Sequence, residues 1–160
     1  METVYLETTF VSYLVALPSR DLVVAAHQQI TRDWWRLRRS CFRCVASSVV
    51  IDEISLGDPS EIKKRLEVVG SLDALQASEE AELLAQAIVD AGVLPRKAVR
   101  DAAHIAVAAA HGVQYLLTWN CKHLANAQIS RRIGRVCNSK ALEMPTICTP
   151  EELLEDTTDE

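Results

Sequence analysis

The chain has 160 residues, 49% of them hydrophobic and 24% charged, with a formal net charge of −5. That length suits a single domain with a full core, without disulfide staples or a second unit. Its apolar runs break off well short of the roughly 20 residues that cross a bilayer, and no charged segment leads into a signal core, so a cytoplasmic protein with no membrane partner is expected.

The elements alternate from the start. VYL (4–6) reads as a strand, and Phe10, Tyr13, Leu14 and Leu17 space a helix from about Thr9 to Leu17. Beyond Pro18, Asp21 is placed to cap a long helix running through Leu37. CVAS (44–47) is a short apolar strand, followed by a helix from Ser48 to Leu56 that Gly57 ends. DPSEIKKRLEVVG reads as a helix entered through Pro59 and Ser60 and closed by Gly70. LDALQAS holds a short strand, and Ser78 opens a helix that Gly92 ends. A strongly apolar helix from about Ala98 to His111 stops at Gly112. VQYLLTW (113–119) is an uninterrupted apolar run of the kind buried on both faces of a parallel sheet. A last helix, about Asn126 to Glu143, precedes the strand PTICT (145–149).

Strands alternating with helices and lacking hairpin turns imply right-handed crossovers, hence an α/β protein with a parallel sheet covered on both faces. Ligands of such sheets sit at the carboxyl ends of the strands. Glu7 stands where the first strand ends, an unusual place for a residue that neither caps nor favours strands. Glu53 borders the apolar stripe of the helix after the second strand. Asp101 enters a helix whose Ala102, Ile105, Ala106, Ala108 and Ala109 demand burial nearly all round. Thr118 and Asn120 directly follow the strongest strand. Each has a plain structural explanation: Asp101 suits a helix N-terminus, Glu53 an exposed ion pair, Asn120 a turn. Together they come from separate segments and point at one rim.

Carboxylates that converge repel one another unless a cation sits among them. Hard oxygen donors, with no pair of His or thiolate ligands nearby, suit Mg²⁺ or Mn²⁺. Such an ion activates water and orients a phosphodiester. The charge distribution fits an anionic partner. Residues 151–160, EELLEDTTDE, hold six of the 22 acids and no base, which leaves 16 acids against 17 bases in 1–150. Between Arg96 and Lys140 lie Arg96, Lys97, Arg100, Lys122, Arg131, Arg132, Arg135 and Lys140, with Asp101 the single acid, and Arg32, Arg36, Arg38, Arg39 and Arg43 form a second group. Basic faces of this kind neutralise phosphates with release of counterions, although solvated helix faces look the same. The natural division is a domain over 1–150 and an acidic tail over 151–160, whose Leu153 and Leu154 can still dock and whose charge is suited to shielding the basic surface. Five cysteines, an odd number, fit reduced thiols. Cys41 and Cys44 lack the second ligand pair of a zinc site and read instead as half-buried thiols flanking a strand.

The stretches VYLETTFVSYL, SSVVIDEIS and VRDAAHIAVAAAHGVQYLLTWNCKHLAN resemble the PIN-domain nucleases, especially the VapC-like toxins of prokaryotic toxin–antitoxin pairs, in order and spacing over nearly the whole chain. The resemblance implies a three-layer α/β/α sandwich around a parallel sheet of about five strands. It also implies Mg²⁺- or Mn²⁺-dependent endoribonuclease activity on RNA, a homodimer and a cognate antitoxin. By position, Glu7, Glu53 and Asp101 take the places of the family's first three acids and metal ligands. Asn120 takes the place of a fourth acid, and Thr8 or Thr9 that of the hydroxyl beside the first, with Thr118 in support. Glu7 is one methylene longer than the family's aspartate, and Asn120 removes a charge. These departures keep a second reading open, a PIN-like module that binds RNA or protein with weak or no catalysis. Arg100, Lys122 and His123 are placed to meet phosphate. His104, one turn after Asp101, can point toward the same cleft, although a hydrogen-bonded core histidine is the preferred reading. Trp34, Trp35 and Trp119 suit base stacking, core or dimer surface. A receiver-like signalling domain is set aside because no aspartate ends a strand.

Overall fold

The computed structural model describes residues 1–154 of the 160. Five parallel strands form one sheet: β1 (Thr3–Leu6), β2 (Arg43–Ser47), β3 (Asp73–Leu75), β4 (Tyr115–Leu117) and β5 (Thr146–Cys148), in the spatial order β3-β2-β1-β4-β5. The central strand β1 pairs with β2 on one side and β4 on the other, with Tyr5 opposite both Val45 and Leu116. Among the described residues seven α-helices supply the crossovers: α1 (Thr8–Val15), α2 (Leu22–Arg38), α3 (Ser48–Ile54), α4 (Pro59–Gly70), α5 (Glu79–Asp90), α6 (Val99–Ala110) and α7 (Ala127–Ser139). The expected α/β sandwich with five parallel strands is the fold observed. Among the described residues no helix is long and apolar enough to cross a membrane.

Helix starts obey the capping signals. Asp21, Ser78 and Asn126 each accept a hydrogen bond from a backbone N–H of the first turn of α2, α5 and α7. For α4 the cap is Asp58, one residue ahead of Pro59, with Ser60 N 2.8 Å from its carboxylate.

Four elements differ from expectation by two residues or more at an end. Helix α1 stops at Val15 because Pro18 forces the preceding backbone out of helical geometry, and Leu17 is left 73% exposed. Helix α3 stops at Ile54 instead of Leu56, its last turn closed by Ser55 N on Ile51 O at 3.2 Å. Strand β4 is three residues long instead of seven: Val113 N still bonds Ala108 O of α6, and Thr118 onward turns into the rim. Helix α7 ends at Ser139 because Ala141 adopts φ +56 and Leu142 N returns to Cys137 O at 3.0 Å.

The core lies on both faces of the sheet. Val4, Tyr5 and Leu6 are fully buried, as are Ala102, Ile105, Ala106 and Ala108 of α6, which packs against α5. Trp34 belongs to this core, edge-on to Phe10 with ring centroids 5.4 Å apart. Trp35 is half-buried under the Arg39 guanidinium, 4.1 Å from its ring. Cys41 is exposed, not half-buried as expected, and Cys44 is half-buried; both are free. A short 3-10 turn at Pro150–Leu153 comes after β5, and Leu153 and Leu154 pack on the core; the rest of the acidic segment, 155–160, lies outside the described residues.

Candidate active site

Three strand ends meet at one edge of the sheet. Leu6 and Leu117 are register partners, so the residues after them emerge side by side, and Glu7 N donates to Leu117 O at 3.1 Å. Glu7 therefore sits between β1 and α1 with 2% of its surface exposed. Its Oε2 accepts from Thr9 N at 3.0 Å, Thr9 Oγ1 at 2.5 Å and Thr118 Oγ1 at 2.8 Å. The first of these makes Glu7 the N-cap of α1, a role for which glutamate is seldom used. Oε1 faces His104 Nε2 at 3.8 Å.

Glu53 comes from α3, the helix after β2. Its Oε1 accepts from Thr8 Oγ1 at 2.8 Å and is hydrogen-bonded to His104 Nε2. The two threonines thus serve different carboxylates, Thr9 that of Glu7 and Thr8 that of Glu53. Burial would raise the Glu53 carboxyl, but the His104 hydrogen bond and charge, with smaller help from Thr8 and Arg100, hold it below the usual carboxylate range.

Asp101 opens α6 without capping it. Its Oδ2 lies 3.2 Å from His123 Nδ1 and its Oδ1 accepts from Asn120 Nδ2 at 3.4 Å, while Asn120 Oδ1 accepts from His123 N at 3.0 Å. Burial pushes the Asp101 carboxyl above its usual range; His104 and His123 pull against this, and Glu53 adds to the rise. Asn120 N donates to Thr118 Oγ1 at 2.9 Å, which ties this group back to Glu7.

Glu7, Glu53 and His104 each offer one donor atom, and these atoms lie within 4.8 Å of one another. A divalent ion fits that spacing, since cis ligands about 2.1 Å from an octahedral ion are about 3 Å apart. Asp101 lies outside that trio, hydrogen-bonded through Asn120 and His123 at its border. Arg100 and Lys122 are exposed, and the Arg100 charge reaches Glu53. His123, expected to meet phosphate, is engaged with Asp101. Asp52 is exposed.

Two parts of the site have no motif in the sequence. His104 is wholly buried and its Nδ1 is 2.7 Å from Tyr5 OH, which is 2.6 Å from Ser47 Oγ. The signals were a tyrosine inside an apolar strand and a serine at the end of the next, and only their register makes them neighbours. The second is an aromatic stack: His27 lies over Trp119 with centroids 4.0 Å apart, and Trp119 Nε1 donates to Thr31 Oγ1 at 2.7 Å.

No family model matches the chain, and no curated protein matches it. Among solved structures, it is similar to a chain in the crystal structure of VapBC2 from Rickettsia felis bound to a DNA fragment from their promoter. The superposition has a TM-score of 0.60 at 15% identity and covers 92% of this chain and 98% of that one. The fold is PIN-like. At that identity the likeness carries the architecture alone, and the roles of the side chains rest on the geometry of this chain.

Proposed function

We propose that this chain is a metal-dependent endoribonuclease, the toxin of a toxin–antitoxin pair, in which Glu7, Glu53 and Asp101 hold Mg²⁺ or Mn²⁺. The observation that carries the reading is the meeting of Glu7 and Glu53 at the carboxyl edge of a parallel sheet, donor atoms within 4.8 Å of each other and of His104, with Asp101 bordering them. Buried carboxylates collected in this way stabilise no apolar core and have a clear use only with a cation.

When bound, the ion supplies a water of lowered pKa and neutralises charge on the phosphodiester. The remaining work belongs to the chain. Thr9, Thr118 and Thr8 fix the two glutamates in position, so the longer reach of Glu7 does not become looseness. Asp101 is oriented at the border of the two glutamates by Asn120 Nδ2 and His123 Nδ1. Arg100 and Lys122 steer the phosphate backbone toward the edge. The VapBC2 likeness supports an antitoxin partner. Leu17 in the connection before α2, and Leu22 and Val23 at its start, exposed at 73%, 86% and 64%, supply apolar surface for that partner or for a second copy.

The test is cleavage of a panel of structured RNAs by the purified chain with Mn²⁺, Mg²⁺ or EDTA, beside Glu7→Gln and Asp101→Asn. The reading expects metal-dependent cutting that both variants abolish. A second reading, a PIN-like module that binds RNA or protein without cutting, is favoured by one observation. Three donors already occupy Glu7 Oε2, and His104 contacts both glutamates, so the network is satisfied without an ion. Absence of divalent-metal binding by calorimetry, with inert wild type and variants, would establish that module in place of the nuclease.

A further inference from the structure

The structure assigns His104 as a nitrogen ligand of the metal, its far nitrogen held on the Tyr5–Ser47 pair, and so predicts a site selective for Mn²⁺ over Mg²⁺. This rests on the metal-dependent reading above and goes beyond it, since an all-carboxylate set would show no such preference.

Three observations carry the assignment. The first is position: Nε2 of His104 is hydrogen-bonded to Glu53 Oε1 and 3.8 Å from Glu7 Oε1, so it points into the space between the two glutamates. An ion there would replace the Nε2 to Glu53 contact with a shared bond to each. The second is restraint. His104 is 0% exposed, on a helix buried nearly all round, and its ring sits edge-on to Tyr5 with centroids 5.6 Å apart, so the imidazole cannot swing away. The third is the partner on the far nitrogen. Ligating histidines characteristically donate their other N–H to a fixed acceptor, which sets the tautomer and strengthens the ligand. Here Nδ1 lies 2.7 Å from Tyr5 OH, and that hydroxyl lies 2.6 Å from Ser47 Oγ, itself 1% exposed. An ion would take the place of the Nε2 proton that faces Glu53; with the ring proton then on Nδ1, donated to the tyrosine oxygen, and the tyrosine O–H donated to Ser47, Nε2 would present its lone pair to the ion.

The selectivity comes from donor chemistry. Mn²⁺ stands at the weak end of the first-row series for nitrogen donors but still accepts imidazole more readily than Mg²⁺, which favours oxygen and gives up water reluctantly. Mn²⁺ is therefore expected to bind at least about tenfold more tightly than Mg²⁺. Tyr5 is a positioning residue: Tyr5→Phe keeps the imidazole, removes its partner, and lowers Mn²⁺ affinity by about 10- to 100-fold.

The experiment is pulsed electron paramagnetic resonance of the full chain loaded with Mn²⁺, looking for nitrogen modulation of the echo. Calorimetry with Mn²⁺ and Mg²⁺ is run on the same samples. The expected result is a nitrogen coupling that shifts on ¹⁵N-histidine labelling, vanishes in His104→Gln and survives in His123→Gln. Because the coupling is read in wild type, an unstable His104→Gln variant leaves the proposal testable, with Tyr5→Phe as the second variant. If Mn²⁺ binds without nitrogen coupling, or the coupling persists in His104→Gln, the assignment is overturned and the nuclease reading stands. If neither ion binds, both are overturned.

Discussion

Thr118 Oγ1 donates to Glu7 Oε2 at 2.8 Å, joining residues 111 apart in sequence, and the same oxygen accepts from Asn120 N at 2.9 Å. One fully buried hydroxyl thereby joins the first carboxylate of the site to the loop that carries Asn120. Thr118→Val keeps the shape, removes a donor to a charged group and leaves a backbone N–H without its acceptor. It is expected to cost about 1–3 kcal/mol. Urea unfolding measures this, and Mn²⁺ calorimetry on the same variant should show weakened binding.

Asp101 works against the fold. Its carboxyl is raised in the native state, first by burial, so the folded chain holds that proton to higher pH than the unfolded chain. Stability from this group is present in full below the unfolded carboxylate range and falls as pH rises through the native value. Asp101→Asn, uncharged at every pH, should therefore melt above wild type at neutral pH in EDTA. The gap should close as the pH is lowered through the carboxylate range. With Mn²⁺ the order should reverse, because the ion stabilises only the chain that binds it. Melting curves across pH, with and without metal, check both signs.

Ala141 sits at φ +56, where an L-residue other than glycine or asparagine is strained. Ala141→Gly should stabilise the chain by about 1 kcal/mol and leave RNA cleavage unchanged, since the position lies past α7. Chemical denaturation of the variant decides the sign.

Lys122 lies just beyond Asn120 and is exposed, close to the proposed path of the phosphate backbone. Lys122→Ala should lower RNA affinity across sequences and reduce the slope of log affinity against log salt by about one. Filter binding at several salt concentrations reads both quantities. An unchanged slope would place the RNA elsewhere.

Trp119 is 8% exposed, stacked by His27 and anchored through its Nε1 on Thr31 Oγ1. Thr31→Val strands that N–H and is expected to cost about 1–3 kcal/mol. Thermal unfolding with tryptophan fluorescence reports the loss and the altered surroundings of Trp119 together.

The sequence by itself determined the alternation of strands and helices, the parallel sheet and the separate segments that carry Glu7, Glu53, Asp101 and Asn120. Apolar runs and capping residues act locally, and a parallel sheet delivers the residues beyond its strand ends to one edge. Tertiary structure decided everything that depends on register between distant segments. Which threonine serves which glutamate, the place of His104 between Glu7 and Glu53, and its support by Tyr5 and Ser47 arise because β1 lies between β2 and β4, with α6 packed beneath their ends. The close of α7 at Ala141 was hidden for a related reason. No side-chain signal asks alanine for a left-handed turn, which is held by the bonds of Ala141 N to Asn138 O and Leu142 N to Cys137 O that form only with the helix end in place.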